Sequence, residues 1–389
     1  MKTLFKFFFL LGILSTACLD NQNHTLKISD QPNIVLFLVD DLGWQDTSVH
    51  FWDQKTTFNT IYETPNMERL ANDGMKFTQA YATPVCSPTR VSLISGMNAA
   101  KHRVTNWTLR RNSFMVKPPE GLEMPLWNVN GAQPTDSIEN SIHITPLPQI
   151  LSDNGYRTIH IGKAHFGAIG TPGADPRSLG FHKNIGGHAA GAPSSYYGLK
   201  NFKRNIGTEA VWDVPGLEKY HGQDIFLTEA LTQEAILEIN RSTELNQPFF
   251  LYLSHYAVHT PIQGDERFEN HYLNKGLDTV EAKYASLIAG IDKSLGDLMD
   301  HIDNKGLSKN TIILFMSDNG GLSAVARGGE KHVHNKPLSS GKGSMHEGGI
   351  RVPMMVKWPA VTSPNSVSDN PLIIEDFFSS ILEMANISE

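Results

Sequence analysis

Cysteine is nearly absent: two occur in 389 residues. That number excludes a disulfide-stapled scaffold and a cysteine-rich zinc site. Charge of one sign is also scarce, with 33 Lys and Arg against 40 Asp and Glu for a formal balance of −7. Such a surface argues against coating a nucleic acid, and no nucleic-acid partner is expected, although a local basic pocket for an anionic substrate stays open. No internal repeat and no low-complexity tract occurs, which excludes solenoids and biased linkers. The longest apolar run, within Leu4–Leu14, is shorter than the roughly 20 residues that span a bilayer. What is present is an ordinary globular composition, 40% hydrophobic, long enough for one large α/β domain or two smaller ones.

Residues 1–17 read as an export signal rather than as fold. Lys2 and Lys6 give a positive start, and Ser15-Thr16-Ala17 supply small residues before Cys18. Ser-Thr-Ala-Cys also resembles a bacterial lipobox, which would make Cys18 a lipid anchor; plain cleavage is the other reading. Residues 18–31 then form a polar spacer and residues 32–389 the folded domain, exported to the periplasm or cell envelope. With Cys18 cut away or acylated, Cys86 is left unpaired in an oxidising compartment.

Short apolar runs rich in β-branched and aromatic residues recur along the chain: Ile34–Val39, Tyr156–Ile161, Pro248–Ser254 and Thr311–Met316. Each has the pattern of a strand buried on both faces, and amphipathic stretches at Thr64–Asp73, Pro146–Asn154, Asp224–Asn240 and Tyr284–Asn304 predict helices between them. The alternation predicts an α/β fold around a large, mostly parallel sheet. Polar groups follow the strand ends, where open α/β sheets place their ligands. Asp40-Asp41 follow the first run and Asp318-Asn319 the last. Adjacent buried carboxylates repel, so a cation is one counterweight, while an Asx turn with a helix cap is the bland alternative. Together these oxygens form a hard set suited to Ca²⁺, with Mg²⁺ second, rather than to zinc. Gly162-Lys163-Ala164-His165-Phe166-Gly167 closes another strand, and an extended backbone there would send Lys163 and His165 to the same side. Gly180–Tyr220 reads as loop, with His188, Tyr196, Tyr197 and Lys200 as candidate sugar contacts. Lys101–Ser141 reads as a long functional loop whose Arg110 and Arg111 are surface, and His255 as structural.

In Val85-Cys86-Ser87-Pro88-Thr89-Arg90 a proline suited to a first helical turn puts Cys86 at a helix N-terminus. Unpaired N–H groups and the helix dipole make that spot electropositive, and Arg90, one turn on, can reach back with a planar fork of donors. Cys86 is either a nucleophile precursor or a small buried core residue.

The Cys86-Ser-Pro-Thr-Arg90 segment resembles the motif of type I, formylglycine-dependent sulfatases of the alkaline phosphatase-like superfamily, bacterial polysaccharide sulfatases among them. Gly162–Gly167, His259-Thr260-Pro261 and Lys342-Gly343 with Glu347–Pro353 resemble further motifs of that family, in the same order. The resemblance implies a mixed sheet between helices, with 32–389 as the catalytic domain. Such proteins usually carry a small C-terminal antiparallel subdomain as well, and with the sequence ending at Glu389 the expectation is that it is missing here.

The same resemblance implies a chemistry. A maturation enzyme oxidises Cys86 to formylglycine, whose hydrate attacks sulfur. One Ca²⁺ sits among Asp40, Asp41, Asp318, Asn319 and the group at position 86. Arg90 orients the nucleophile, and Lys163 and Lys342 neutralise sulfate oxygens. His259 protonates the leaving alcohol or touches the sulfate and His165 takes the nucleophile's proton, two roles that can be exchanged. The substrate expected is a sulfated carbohydrate. A phosphodiesterase or phosphonate hydrolase of the same superfamily, or an inactive binding protein, are the other readings.

Overall fold

The side chains of the first strand alternate between two cores. Val35, Phe37 and Val39 belong to one apolar cluster and Ile34, Leu36 and Leu38 to a second, none of the six exposed. A strand of period two with both faces apolar can sit only in the middle of a covered sheet. The computed structural model, which describes residues 31–204, 210–323 and 326–388, places it there. The export signal and Cys18 lie outside the described residues.

Nine strands form the main sheet: β1 (Asn33–Val39), β2 (Met75–Tyr81), β3 (Arg157–Gly162), β4 (Lys183–Ile185), β5 (Phe249–Ser254), β6 (Thr311–Ser317), β7 (Arg351–Lys357), β8 (Ser366–Ser368) and β9 (Leu372–Ile373). Their order is β8-β2-β7-β6-β1-β5-β3-β4, with β9 also on β2. Strand β7 alone runs antiparallel to its neighbours, so the expected mixed, mostly parallel α/β sheet is what forms. Leu227–Glu244 and Thr279–Asn304 cover the face of the first cluster. Cys86–Ser95, Leu147–Asp153 and Asp376–Met384 cover the other.

Because β1 pairs in parallel with β5 and β6, and β5 with β3, these strands end at one edge. Two details differ from expectation. The presumed loop at Gly180–Tyr220 contributes strand β4, three residues too few to show a period. A further strand that the apolar runs do not include, β7, starts at Arg351, where Arg351 and Val352 pair with Tyr81 and Ala80 of β2.

His255 follows β5 and is fully buried, with Nε2 2.9 Å from Ser294 Oγ and its ring 5.1 Å from that of Phe37. Burial pushes its pKa down to about 3, so the folded protein holds it neutral. Between its unfolded value of about 6.5 and that folded value, the unfolded chain takes a proton that the fold refuses. Its stability contribution is complete above the unfolded value and is lost as the pH falls. Urea unfolding at pH 7 and pH 5 is expected to show a loss of about 2 kcal/mol from this residue. His255→Gln flattens the dependence by that share; an identical pH slope in both proteins would contradict the assignment.

Candidate active site

Strands β1 and β6 run side by side in register, Val39 opposite Ser317, and so deliver Asp40-Asp41 and Asp318-Asn319 to the same point. The Asp318 N–H donates to Val39 O at 3.0 Å, and the Asp41 N–H to Asp318 Oδ1 at 3.2 Å. Asp41 adopts a left-handed backbone (φ 62°), strain of the kind that persists where surrounding structure over-determines it. Strand β3 ends in Gly162, at φ 96°, where a Cβ would lie 1.9 Å from Ser254 O. Only glycine fits there, and the close approach turns Lys163 inward.

Asp40, Asp41 and Asp318 are completely buried, which for carboxylates requires compensation. Arg90 supplies the first part: Nε and Nη2 donate to Asp318 Oδ2 at 3.0 and 2.8 Å, and Nη1 to Lys163 O at 2.8 Å and Ser254 Oγ at 2.6 Å. Its fork is thus committed to the sheet tips, which corrects the expectation that Arg90 reaches back over the helix N-terminus. Lys163 Nζ lies 2.6 Å from Asp40 Oδ2, and Lys342 Nζ 2.6 Å from Asp41 Oδ1. Asn319 Nδ2 donates to Asp41 Oδ1 at 2.9 Å, and His259 Nε2 is 3.7 Å from Asp41 Oδ2. The extended backbone expected of Lys163 and His165 is not found, since Gly162 and His165 (φ 57°) both take positive φ. Both residues still come to the site, Lys163 against Asp40 and His165 in the cleft wall.

Charge tells the same story. Burial, then the neighbouring Asp318, pushes the Asp40 carboxyl well above the usual carboxylate range, with Lys163 opposing. At Asp41 burial also pushes upward, but Lys342, His259 and Lys163 outweigh it and hold the group low. Two buried oxygens, Asp40 Oδ1 and Asn319 Oδ1, have no hydrogen-bond partner. Donor atoms of Asp40, Asp318 and Cys86 all lie within 4.8 Å of one another. A partnerless carboxylate oxygen and amide oxygen beside a second carboxylate fit a hard divalent cation.

Cys86 opens its helix at the first turn, with Val85 as an extended N-cap (φ −144°, ψ 160°), and is buried. Burial raises its thiol pKa, with Lys163 and Lys342 opposing. His259 is pushed down to about 3, by burial and then by Lys342, and its Nδ1–H donates to Thr260 O at 2.8 Å, which leaves Nε2 bare. His165 is likewise held neutral by burial and by Lys163; its Nε2–H donates to Thr108 O at 2.8 Å and Nδ1 has no partner. Cys86, His165, His259 and Lys342 line a cleft of about 1010 Å³.

Several supports escaped the sequence reading. Asp46 Oδ2 accepts from the Gly43 N–H at 2.9 Å and from Tyr284 OH at 2.7 Å. Arg327 donates to Asp46 Oδ1 at 2.9 Å and lies 4.1 Å over the Tyr284 ring, so the turn after Asp41 is clamped. No motif marks these residues; Ser254, at a strand tip, could have been found. Of the four candidate sugar contacts only Lys200 lines the cleft. Tyr196 is buried and its hydroxyl donates to Tyr256 O and His259 O, both at 2.8 Å, bracing the His259 loop. Tyr197 bonds Gly264 O at 3.0 Å, and the His188 carbonyl holds the His165 N–H at 3.1 Å. Arg110 and Arg111 are exposed, as expected.

This sheet, with its acidic tips gathered at one edge, is that of the alkaline phosphatase-like superfamily. Within it the chain belongs to the sulfatase family, whose model matches residues 32–387. It is 31% identical to the N-acetylgalactosamine-6-sulfatase of Mus musculus over 92% of this chain and 63% of that protein. A sulfatase of Formosa agariphila is 29% identical over 97% of this chain and 72% of its own length. The crystal structure of Ps i-CgsB in complex with k-i-k-neocarrahexaose superposes with a TM-score of 0.70 and 26% identity, covering 92% of this chain and 73% of that one. The chain thus spans about 63% of the length of the mouse relative.

Arg90→Met keeps the volume but strips the buried Asp318 of its two-pronged counter-charge, leaving it the Asp41 N–H at 3.2 Å and Lys163 Nζ 4.0 Å away. The loss expected in urea unfolding is roughly 3–5 kcal/mol. A loss below about 1 kcal/mol, the level of an exposed pair, would show that Arg90 is not the counter-charge.

Proposed function

We propose that this protein hydrolyses sulfate esters of sulfated carbohydrate, with Cys86 converted to formylglycine by a maturation enzyme and one divalent cation, Ca²⁺ before Mg²⁺, beside it. The observation that carries the reading is the meeting of Cys86, Asp40 and Asp318 donor atoms within 4.8 Å of one another, Cys86 itself lining the cleft. The raised pKa of Cys86 supports it too. A thiol kept protonated by burial is a poor nucleophile at neutral pH, so the position suits a different reactive group.

Asp40, Asp41, Asp318 and Asn319 would hold the cation, with position 86 adjoining. Bound there, it would act as a Lewis acid toward sulfate oxygens, while the aldehyde's hydrate would supply the attacking hydroxyl. The remaining work falls to side chains already in place. Lys163 and Lys342 are cationic groups at the carboxylate cluster and are suited to balancing sulfate charge without reorganising. Arg90 holds Asp318 and the carbonyl of Lys163, so its part is to orient those groups. His165 and His259 each present an unprotonated ring nitrogen, so at rest either can accept a proton and neither can give one. An imidazole hands a proton to the leaving alcohol only after it has accepted one, and the Lys163 and Lys342 ammonium groups are the other proton donors at the site. Export to the periplasm or cell envelope, with or without a lipid on Cys18, belongs to the same proposal.

Protein isolated from a host with the maturation machinery is expected to yield a Cys86 peptide of aldehyde mass, and Cys86→Ala to lose aryl sulfate hydrolysis by more than a thousandfold, on the order of an abolished nucleophile. Active protein carrying only the thiol would overturn the proposal. So would faster hydrolysis of an aryl phosphate diester than of the aryl sulfate. In a thermal melt, Ca²⁺ at about 100 times its dissociation constant stabilises by about 2.7 kcal/mol. Asp318→Asn is expected to abolish that gain; a variant that responds to Ca²⁺ like the parent would place the ion elsewhere.

A further inference from the structure

The catalytic end of the cleft has its own cations, each held by a carboxylate. Arg90 is paired with Asp318, Lys163 with Asp40 and Lys342 with Asp41. Three more basic residues, Lys200, Lys203 and Arg204, line the same cleft. They stand on a different segment, Lys200 closing the short turn Gly198–Lys200 and the other two just beyond it, and all three are exposed. Lys200 lies 5.2 Å over the Tyr197 ring, and the charge of Lys203 is one of the influences that lower the Glu218 carboxyl. Among the described residues that line the cleft there is no carboxylate, although the chain as a whole has more acidic than basic residues. A wall with cations and no acid is an attractive field for anions, strengthened by the low-dielectric sides of a cleft.

Size and shape add a second argument. About 1010 Å³ is at the upper end of ligand pockets, which run from about 300 to 1,000 Å³, and exceeds what one sulfated sugar ring fills. Trp107 and Trp212 also line it, ring centroids 6.5 Å apart and tilted by 49°, backed by the buried Leu109, Ala189 and Ala190. Such a braced aromatic pair suits the apolar face of a sugar ring.

We propose that Lys200, Lys203 and Arg204 form a second anion-binding subsite. The ligand that fits the cleft is an oligosaccharide carrying, beside the ester to be cleaved, another sulfate or a carboxylate on a neighbouring sugar. This rests on the sulfate-ester reading above. The subsite selects for charge density along a chain, and Trp107 and Trp212 carry the sugar between the two anions.

The test uses the full chain with Cys86→Ala, so that turnover plays no part, and four chondroitin-type disaccharides: one or two sulfates, each with its uronate intact or reduced to the alcohol. Titration calorimetry is expected to show a ligand with a second anion binding at least about tenfold tighter than the singly charged one, since exposed ion pairs contribute a few-fold each. Lys203→Ala with Arg204→Ala is expected to remove most of that advantage, and raising NaCl from about 50 mM to about 500 mM to shrink it. A gain from the uronate names a carboxylate as the second anion, and a gain from the added sulfate names a sulfate; either supports the subsite. Equal binding across the series, no binding at all, or an advantage that survives the double substitution would overturn it. Failure of the proposed activity is read separately, by the absence of aryl sulfate hydrolysis in mature protein with Cys86 intact.

Discussion

Three carboxylates buried at neighbouring strand tips repel one another, and the rest of the site exists to compensate them. Asp40, Asp41 and Asp318 have no contact with solvent, and like charges in such surroundings cannot persist unpaired. Arg90, Lys163 and Lys342 come from three distant parts of the chain to meet them. The matching is incomplete, because one oxygen of Asp40 and one of Asn319 remain without partners. Those two oxygens are the positions at which the cluster still has lone pairs to offer.

The sheet makes this arrangement possible. Parallel pairing brings the C-terminal ends of β1, β3, β5 and β6 to one edge, so residues separated by more than two hundred positions become neighbours. The two apolar faces of β1 anchor that edge between two helical layers. At the tips of β1 and β3, Asp41 and His165 take a left-handed backbone and Gly162 a positive φ, each held by surrounding structure. Asp46 and Arg327 hold the turn after Asp41, and the Gly162 backbone lies against Ser254. Rigid strands with strained, clamped tips preorganise charge, which is what stabilisation of an anionic transition state requires.

Much of this was legible from residues alone, and for identifiable reasons. Buried parallel strands announce themselves as continuous apolar runs, so β1, β3, β5 and β6 were readable, and with them the acidic residues that terminate two of them. A helix start is readable from proline, which placed Cys86. What the sequence hides is partnership across space. Nothing near Arg90 says that its fork goes to Asp318 and Ser254 rather than toward the helix N-terminus. Tyr196 looked like a sugar contact because tyrosine in a glycine-rich loop often is one, yet it is buried and braces His259. Asp46 and Arg327 carry no pattern at all, and Trp107 and Trp212 meet only after two irregular segments have folded together.

The central claim is that the carboxylate cluster is completed by a divalent cation at position 86. The most direct measurement is a crystal structure of the mature protein grown with Ca²⁺, with anomalous differences collected to locate the ion. The account predicts a peak contacting Asp40, Asp318, Asn319 and the residue at position 86, with the two partnerless oxygens among its ligands. An active protein whose only bound Ca²⁺ lies elsewhere, with Asp40 still held by Lys163 alone, would contradict it.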